Sequence, residues 1–261
     1  MNALGSHRRH PAAIFILILL GLVATGGLYS LLAPRPATAA VSTADDQTTG
    51  RKLFLANCAT CHGISGQGSK LVPTLIGVGA AAVDFQVGTG RMPLAGTGLP
   101  QAPRGKQVMF TNQDISNLAA YVATLGPGTA IPADQYTKGD GSIARGNELF
   151  KVNCAMCHNF AGSGGALTRG KYAPSLRNAT GRHIYEAMTT GPQSMPVFND
   201  QNLSPTNKND IVSYLHDLDE NKNPGGLNLG NLGPVSEGMF AWIFGLGLMI
   251  GAAVWLGSKA A

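Results

Sequence analysis

The sequence has little charge, and this shortage limits what the protein can bind. Only 13% of the 261 residues are charged, whereas glycine alone accounts for 35. The chain has 19 Lys and Arg against 14 Asp and Glu, but residues 36–238 hold 15 of the basic and all 14 of the acidic residues. The basic excess therefore flanks the apolar segments near the two ends, where it indicates membrane topology. Nothing in this pattern supports nucleic-acid binding.

Cysteine is equally scarce, and all four cysteines belong to two copies of one motif, Cys-x-x-Cys-His. Residues 58–62 read Cys-Ala-Thr-Cys-His, and residues 154–158 read Cys-Ala-Met-Cys-His. Two thiols on one helical turn can form thioethers with the vinyl groups of haem, and the following His can ligate the iron. The motifs predict two covalently bound haem c groups. The residues predicted to hold them are Cys58, Cys61, His62, Cys154, Cys157 and His158.

Two other interpretations of the cysteine pairs remain open. The four thiols could form one zinc site, or each pair could be a redox dithiol. Neither interpretation requires a His after each pair. Neither explains why the sequences that flank the two pairs match each other.

The flanking sequences show that the chain contains a tandem duplication. Residues 50–58 and 146–154 share the pattern Gly-x-x-Leu-Phe-x-x-Asn-Cys. Downstream, the two copies share, in the same order, a Pro loop, a Met-Pro pair and a helical pattern with a Tyr. These matches are at Pro73 and Pro174, at Met92 and Met195, and at Tyr121 and Tyr214. The last helix of each copy has a predicted N-cap, Thr111 with Asp114 in the first and Ser204 with Pro205 in the second.

Apolar segments lie near both ends, at residues 12–33 and 239–257. The first is long for a signal peptide and favours a retained anchor helix, but residues 37–39, Ala-Thr-Ala, resemble a cleavage site. The second is near the minimum length that spans a bilayer. Arg8, Arg9 and Lys259 would place both ends in the cytoplasm and the haem domains outside, if the first helix is retained.

These observations give the predicted domain boundaries. They are 1–35 for the N-terminal anchor, 45–126 for the first haem domain, 127–142 for a linker, 143–220 for the second haem domain, 221–236 for a tether and 237–258 for a C-terminal transmembrane helix.

The order of motifs in each copy resembles class I cytochrome c. The resemblance implies a mainly α fold, with two tandem class I cytochrome c domains flanked by transmembrane helices. In that family a Gly and an aromatic residue on the first helix cross the last helix at its Tyr, and a Pro carbonyl holds the second ring nitrogen of the haem-ligating His. The matching positions are Gly50, Phe54, Tyr121 and Pro73 in the first copy, and Gly146, Phe150, Tyr214 and Pro174 in the second.

The sixth iron ligand must come from a distant part of each copy. Met92 and Met195 each precede Pro in a loop before the last helix, which predicts His/Met ligation. Met109 and Met188 are expected to be packing residues. His183 is a rival ligand for the second iron, and His216 is a weaker one. Two six-coordinate irons would leave no open site for a substrate, so this ligation predicts electron transfer.

A wider resemblance covers essentially the whole chain. Residues 170–174, 190–196 and 237–239, together with the two apolar ends, resemble the cytochrome cc subunit of bacterial menaquinol–cytochrome c reductases, the cytochrome bc complexes. The resemblance implies an electron-transfer subunit of a quinol–cytochrome c oxidoreductase in the cell membrane, with no quinol catalysis on this chain. Implied partners are a cytochrome b subunit, a Rieske iron–sulfur protein as donor, the copper-centre subunit of a terminal cytochrome c oxidase as acceptor, and membrane lipid.

Three alternative functions stay open at this point. A dihaem subunit of a terminal oxidase fits the haem motifs equally well, but such subunits usually lack a C-terminal span. A free membrane-tethered shuttle is the second. A dihaem peroxidase is the third, although it would need one iron with an open position, and the paired Met-Pro motifs count against that.

Overall fold

The computed structural model describes residues 11–32, 43–94, 107–220, 229 and 234–259. By its internal contacts the chain divides into two compact units, Met1–Thr38 and Ala39–Ala261. The described residues are mainly helical, as predicted. Arg8, Arg9, the 37–39 cleavage pattern and most of the 221–236 tether lie outside the described residues.

The first unit contains one described helix, α1 (Pro11–Leu32). The second unit holds both haem-motif domains and the C-terminal helix. In the first domain the helices are α2 (Ala44–Asn57), α3 (Ala59–His62), α4 (Gly79–Gly88) and α5 (Asn112–Ala123). In the second they are α6 (Ile143–Asn153), α7 (Ala155–His158), α8 (Gly181–Thr190) and α9 (Pro205–Glu220). The C-terminal segment comprises α10 (Pro234–Ala241), a π-helical turn (Trp242–Leu246) and α11 (Gly247–Lys259).

Each domain is built on a crossing of its first and last helices. In the first domain α2 crosses α5 so closely that a Cβ on Gly50 would collide with the carbonyl of Asn117. Beside this crossing the rings of Phe54 and Tyr121 lie 5.2 Å apart. Phe54 is 1% exposed, and its burial stabilises the fold by about 1.5–3 kcal/mol. The crossing that the resemblance implied is therefore present.

The second domain repeats this crossing between α6 and α9. A Cβ on Gly146 would collide with the carbonyl of Asp210. The rings of Phe150 and Tyr214 lie 5.4 Å apart, at the same 51° interplanar angle as the pair in the first domain. The duplication seen in the sequence is thus a duplication of structure.

The caps of the last helices agree with the sequence. Thr111 caps α5, because its hydroxyl accepts from the Asp114 amide and Asp114 accepts from the Thr111 amide in return. Ser204 precedes α9, which begins at Pro205, and its hydroxyl accepts from the Asn207 amide at 3.2 Å. Both predicted N-caps are confirmed.

The C-terminal part of the predicted linker is docked on the second domain. Its amides at Gly139, Gly141 and Ser142 donate to side chains on α9, with the shortest of these bonds at 2.7 Å. Their acceptors are Asn209, Ser213 and Asp210, which are buried. The linker also includes a short 3₁₀ turn, Asp134–Tyr136. The C-terminal part of the segment therefore belongs structurally to the second domain, whereas the Thr129 carbonyl near its start accepts from the Ala81 amide of the first domain at 3.0 Å.

The two domains meet where α4 packs against α8. The ring of Phe85 on α4 meets the imidazole of His183 on α8 edge-on, with centroids 6.2 Å apart. Gly88 lies at the closest approach, because a Cβ there would be 2.9 Å from Nε2 of His183. This contact joins the two halves of the duplication within one compact unit.

Both ends carry a candidate membrane helix. Residues 12–31 and 235–259 are long and apolar enough to span a bilayer, with mean hydropathy of 2.3 and 2.0. The C-terminal one contains the π turn between α10 and α11. Length and composition agree with the two membrane helices expected from the sequence.

Candidate functional sites

The first Cys-x-x-Cys-His motif forms a single helical turn that begins where α2 ends. The Cys58 amide donates to the Phe54 carbonyl at 2.8 Å, and the His62 amide donates to the Cys58 carbonyl at 2.9 Å. Cys61 is exposed, and neither cysteine forms a disulfide. Burial raises the pKa of the Cys58 thiol. The turn therefore presents two thiols and an imidazole from five consecutive residues.

A proline carbonyl fixes the orientation of this imidazole. Nδ1 of His62 lies 2.9 Å from the carbonyl oxygen of Pro73, and the side chain is buried. A carbonyl can only accept, so Nδ1 carries the proton and donates. Nε2 then keeps its lone pair, which is the form in which imidazole binds a metal. The predicted contact with Pro73 is confirmed.

The second motif repeats this geometry. The Cys154 amide donates to Phe150, the His158 amide donates to Cys154, and Nδ1 of His158 donates to the Pro174 carbonyl at 2.9 Å. Burial lowers the pKa of His158 and raises the pKa of the Cys154 thiol to about 12. The predicted contact with Pro174 is confirmed as well.

A hairpin explains why Pro174 lies 16 residues after its His while Pro73 lies only 11 after its own. The two loops begin with the same hydrogen bond, because the Gly68 amide donates to the His62 carbonyl and the Gly164 amide donates to the His158 carbonyl. After that point the second loop forms two short antiparallel strands, β1 (Gly165–Ala166) and β2 (Tyr172–Ala173), joined through a 3₁₀ turn at Thr168–Gly170. The extra residues are absorbed by the hairpin, so the Pro carbonyl still reaches the imidazole.

The two predicted methionine ligands border the cores of their own domains. Met92 and Cys58 both pack against the buried cluster around Phe54. Met195 packs against the buried cluster that includes Phe150 and Cys154. In each domain the thioether and the first cysteine of the motif therefore contact the same apolar core.

The other candidate ligands lie elsewhere. Met188 is 2% exposed within the second core, which confirms it as a packing residue. Met109 is 74% exposed, so the prediction that it packs was wrong; it lies in the irregular segment before α5. His183 faces α4 of the first domain, and His216 lies against Gly139 of the linker.

The donor set of each site fits haem c. Two thiols and a metal-binding imidazole lie on one turn, and a thioether borders the same core, which is the set that c-type haem requires. A single zinc site made by the four cysteines does not form: among the described residues, no cysteine belongs to a group of three or more convergent metal-ligating side chains.

A third polar cluster lies at the contact between the domains and was not predicted from the sequence. Asp84 on α4 lies near His183 and Glu186 on α8, and one ligand atom of each lies within 4.8 Å of the others. Burial lowers the pKa of His183 and, with the nearby Asp84 charge, raises the pKa of Glu186 to about 10. The His-x-x-Glu spacing on α8 was visible in the sequence, but its partner on α4 was not.

Lys208 is a buried charged residue that was not predicted from the sequence. Its side chain is fully buried in α9, and its Nζ lies 2.6 Å from an Asp200 carboxylate oxygen and 5.2 Å from the centre of the Tyr185 ring. The Lys208–Asp200 ion pair belongs to the second domain, and both residues are distant in sequence from the two Cys-x-x-Cys-His motifs.

Comparison with known proteins agrees with the two-domain geometry. The family model for cytochrome c matches residues 47–126, and the model for subunit III of cbb3-type cytochrome c oxidase matches residues 141–215. The chain is 44% identical to the cytochrome bc1 complex cytochrome c subunit of Mycobacterium leprae, over 94% of this chain and 87% of that protein. It is 43% identical to the subunit of the same name in Corynebacterium efficiens, over 96% and 90%.

A more distant relative belongs to an oxidase. The cbb3-type cytochrome c oxidase subunit FixP of Azorhizobium caulinodans is 31% identical over 65% of this chain and 58% of its own length. The fold and the paired sites define a haem protein with two cytochrome c domains, of the kind that carries electrons. Within that class, the chain belongs to the family of cytochrome bc1 complex cytochrome c subunits.

Proposed function

We propose that this chain carries electrons from the Rieske iron–sulfur protein of a menaquinol–cytochrome c reductase to the copper centre of a terminal cytochrome c oxidase. The observation that carries the proposal is the presence of two haem-type sites in one compact unit, whose domains contact each other through α4 and α8. Two carriers on one chain keep donor and acceptor at a high effective concentration, so no diffusing cytochrome is needed.

The residues proposed to hold the haems are those of the two turns and the two methionines. Cys58, Cys61, Cys154 and Cys157 would form the thioethers, and His62 with Met92 and His158 with Met195 would ligate the irons. When bound, each haem supplies an iron that takes up and releases one electron. The chain's own contribution is to orient each imidazole through a proline carbonyl at 2.9 Å and to enclose the site in an apolar core.

The family and the two candidate membrane helices support the partners and the orientation that we propose. We place the protein in the cell membrane beside cytochrome b and the Rieske protein, with the haem domains on the extracytoplasmic side. Lys259, in the last turn of α11, favours a cytoplasmic C-terminus. The quinol chemistry would belong to other subunits of the complex.

Purification through a C-terminal tag in mild detergent tests the assembly. The expected result is that cytochrome b, the Rieske protein and oxidase subunits purify together with this chain. Purification of the dihaem protein alone would contradict the proposal and support a tethered shuttle.

An oxidase subunit is the second candidate, because the second domain matches the cbb3-type oxidase model and FixP is a relative. Under that alternative, oxidase subunits would co-purify without cytochrome b and the Rieske protein. The same purification therefore separates the two functions.

Paired cysteine variants test the order of electron flow that we propose, from the first domain to the second. One variant replaces Cys58 and Cys61 with Ala, and its matched partner replaces Cys154 and Cys157. In anaerobic membranes given quinol, the first variant should leave the remaining haem c oxidised, and the second should leave it reduced. Rapid reduction of the second domain in the first variant would contradict the order. The absorbance of the remaining haem confirms that its domain is folded.

A further inference from the structure

A group of metal-ligating side chains lies between the two cytochrome c domains, apart from both Cys-His turns. Asp84 comes from the first domain, and His183 and Glu186 come from the second. One ligand atom of each lies within 4.8 Å of the others. We propose that these three side chains bind a divalent transition-metal ion, for which Zn²⁺ is the probe, and that the ion joins the two domains.

The helix geometry brings the three ligands to one point. His183 and Glu186 are three residues apart on α8, so they share one face of that helix. Asp84 lies opposite on α4, with its Oδ2 4.0 Å from Nε2 of His183. Zinc binds imidazole nitrogen and carboxylate oxygen at about 2.0–2.2 Å in tetrahedral geometry, so two ligand atoms of one ion lie roughly 3.3–3.6 Å apart. Small side-chain rotations would bring all three into range.

Glu186 supplies an independent sign that the cluster needs a cation. The residue is 0% exposed. Within the part of the chain that the structure describes, neither of its carboxylate oxygens has a hydrogen-bond donor. A buried carboxylate without a partner is strongly unfavourable, so it must take up either a proton or a metal ion. Burial, and after it the neighbouring Asp84, raises the pKa of Glu186, so the carboxyl holds a proton where no metal ion is bound. A metal ion would satisfy both carboxylates and the imidazole at once.

The site has room for an imidazole and a path from solvent. Gly88, one turn after Asp84, has no Cβ, and a Cβ there would lie 2.9 Å from Nε2 of His183. The Phe85 ring holds the imidazole edge-on. The side chains of His183 and Asp84 keep 23% and 12% of their surface exposed. An ion can therefore reach the cluster from solvent, and water can complete its coordination.

The surrounding charges are compatible with a divalent ion. Burial lowers the pKa of His183, and the nearby Arg182 and Arg91 lower it further, which favours the neutral imidazole that binds metals. They also repel a cation, but each is engaged elsewhere. The Arg91 guanidinium stacks on Phe85 at 4.7 Å, and Arg182 pairs with Asp134 at 3.4 Å. The two carboxylates would balance the charge of the ion.

Zinc titration of the full-length haem protein in detergent tests this site. The protein is stripped with a chelator, and zinc affinity is measured by competition with a chromophoric chelator. We expect one Zn²⁺ per chain, bound at least tenfold more weakly by Asp84→Asn and Glu186→Gln. The control Glu148→Gln changes an exposed carboxylate that pairs with Arg145 on α6, and it should bind like the wild type. Equal affinity in all four proteins, or no stoichiometric zinc in the wild type, would overturn the proposal.

X-ray absorption at the zinc edge of the wild-type protein gives a test that needs no variant. The expected shell contains one imidazole nitrogen and oxygen atoms, without sulfur. A sulfur shell would assign the zinc to cysteine and refute the site. Added Zn²⁺ should also raise the melting temperature of the wild type but not that of Asp84→Asn, because an ion that binds only the folded state stabilises it.

Discussion

The two cytochrome c domains share their helix crossing but differ in the segments around it. Both place the imidazole 2.9 Å from a proline carbonyl, and both cross their end helices at a glycine. The first domain reaches its proline through a short loop, whereas the second uses a hairpin. The last helix of the second domain also buries a run of polar residues that holds the linker. These are Asn209, Asp210 and Ser213.

This difference shows which parts of the duplicated unit are constrained. The crossing and the His–Pro contact position the thiols and the imidazole, so a change there would displace the site. The loop between His and Pro only has to return the carbonyl to the same place. It therefore tolerates five more residues in the second copy than in the first.

The largest expected effect comes from adding a methyl group at the glycine where the first and last helices of a domain cross. Gly50→Ala and Gly146→Ala each place a methyl group against a backbone carbonyl, so the helices must move apart. We expect a loss of about 3 kcal/mol or more in the altered domain and a fall from two haems per chain towards one. Haem per chain, measured by pyridine haemochrome, checks this.

Gly165→Ala is the control for these substitutions, because a Cβ there meets nothing within 4 Å. If only one of the two crossing variants lost its haem, the crossings would not be equivalent.

Replacing either proposed methionine ligand should change the reduction potential of the haem in that domain only. Met92→His or Met195→His replaces a thioether, which favours reduced iron, with an imidazole. We expect the potential of that domain alone to fall by on the order of 0.1–0.3 V, within the range of about 0.8 V that axial ligands set. Spectroelectrochemical titration measures both potentials. Met109→His, at an exposed position, should change neither, and a shift there would argue against the ligand assignment.

The contact between the domains should make the stability of the metal-free protein depend on pH. The Glu186 carboxyl titrates near 4.5 when unfolded and at about 10 when folded. The unfolded state therefore releases this proton first, and the group destabilises the fold as pH rises from 4.5 towards 10. The slope is at most about 1.4 kcal/mol per pH unit. Glu186→Gln removes this pH dependence. The free energy of unfolding of the variant should therefore increase relative to that of the wild type as pH rises.

Thermal unfolding in chelator between pH 5 and pH 9 measures this difference. The groups around Glu186 that also titrate or carry charge are Asp84, His183, Arg91 and Arg182, and they are the same in both proteins. A constant difference between variant and wild type across this range would mean that Glu186 is not held neutral.

The smallest expected effects are at the helix caps. Thr111→Ala and Ser204→Ala each remove the hydroxyl that accepts from a backbone amide in the first turn, which costs about 1 kcal/mol. Thermal unfolding followed at the haem absorbance should show similar losses for the two domains. Thr111→Ser, which keeps the hydroxyl, should restore most of the loss; failure to do so would mean that the methyl group matters more than the cap.

Local patterns and a family resemblance together were sufficient to predict most of the fold. The Thr111 and Ser204 caps followed from residues within one turn, and the resemblance to class I cytochrome c, to which the motif Gly-x-x-Leu-Phe-x-x-Asn-Cys contributes, implied both crossings. The Pro73 and Pro174 contacts followed from family resemblance despite their unequal spacing. The position of His183 could not be predicted, since it depends on how α4 meets α8. Docking of the linker depends likewise on side chains about 70 residues away.

The π turn at Trp242–Leu246 changes which residues of the C-terminal helix share a face. A turn of this kind inserts roughly one residue into the helical repeat, which rotates everything before it by about 100° relative to everything after it. A regular helical wheel would therefore assign the wrong α10 residues to the face of Gly247 and Gly251. A neighbouring helix that packs on those two glycines would contact, in α10, residues one position earlier in the sequence than the wheel predicts.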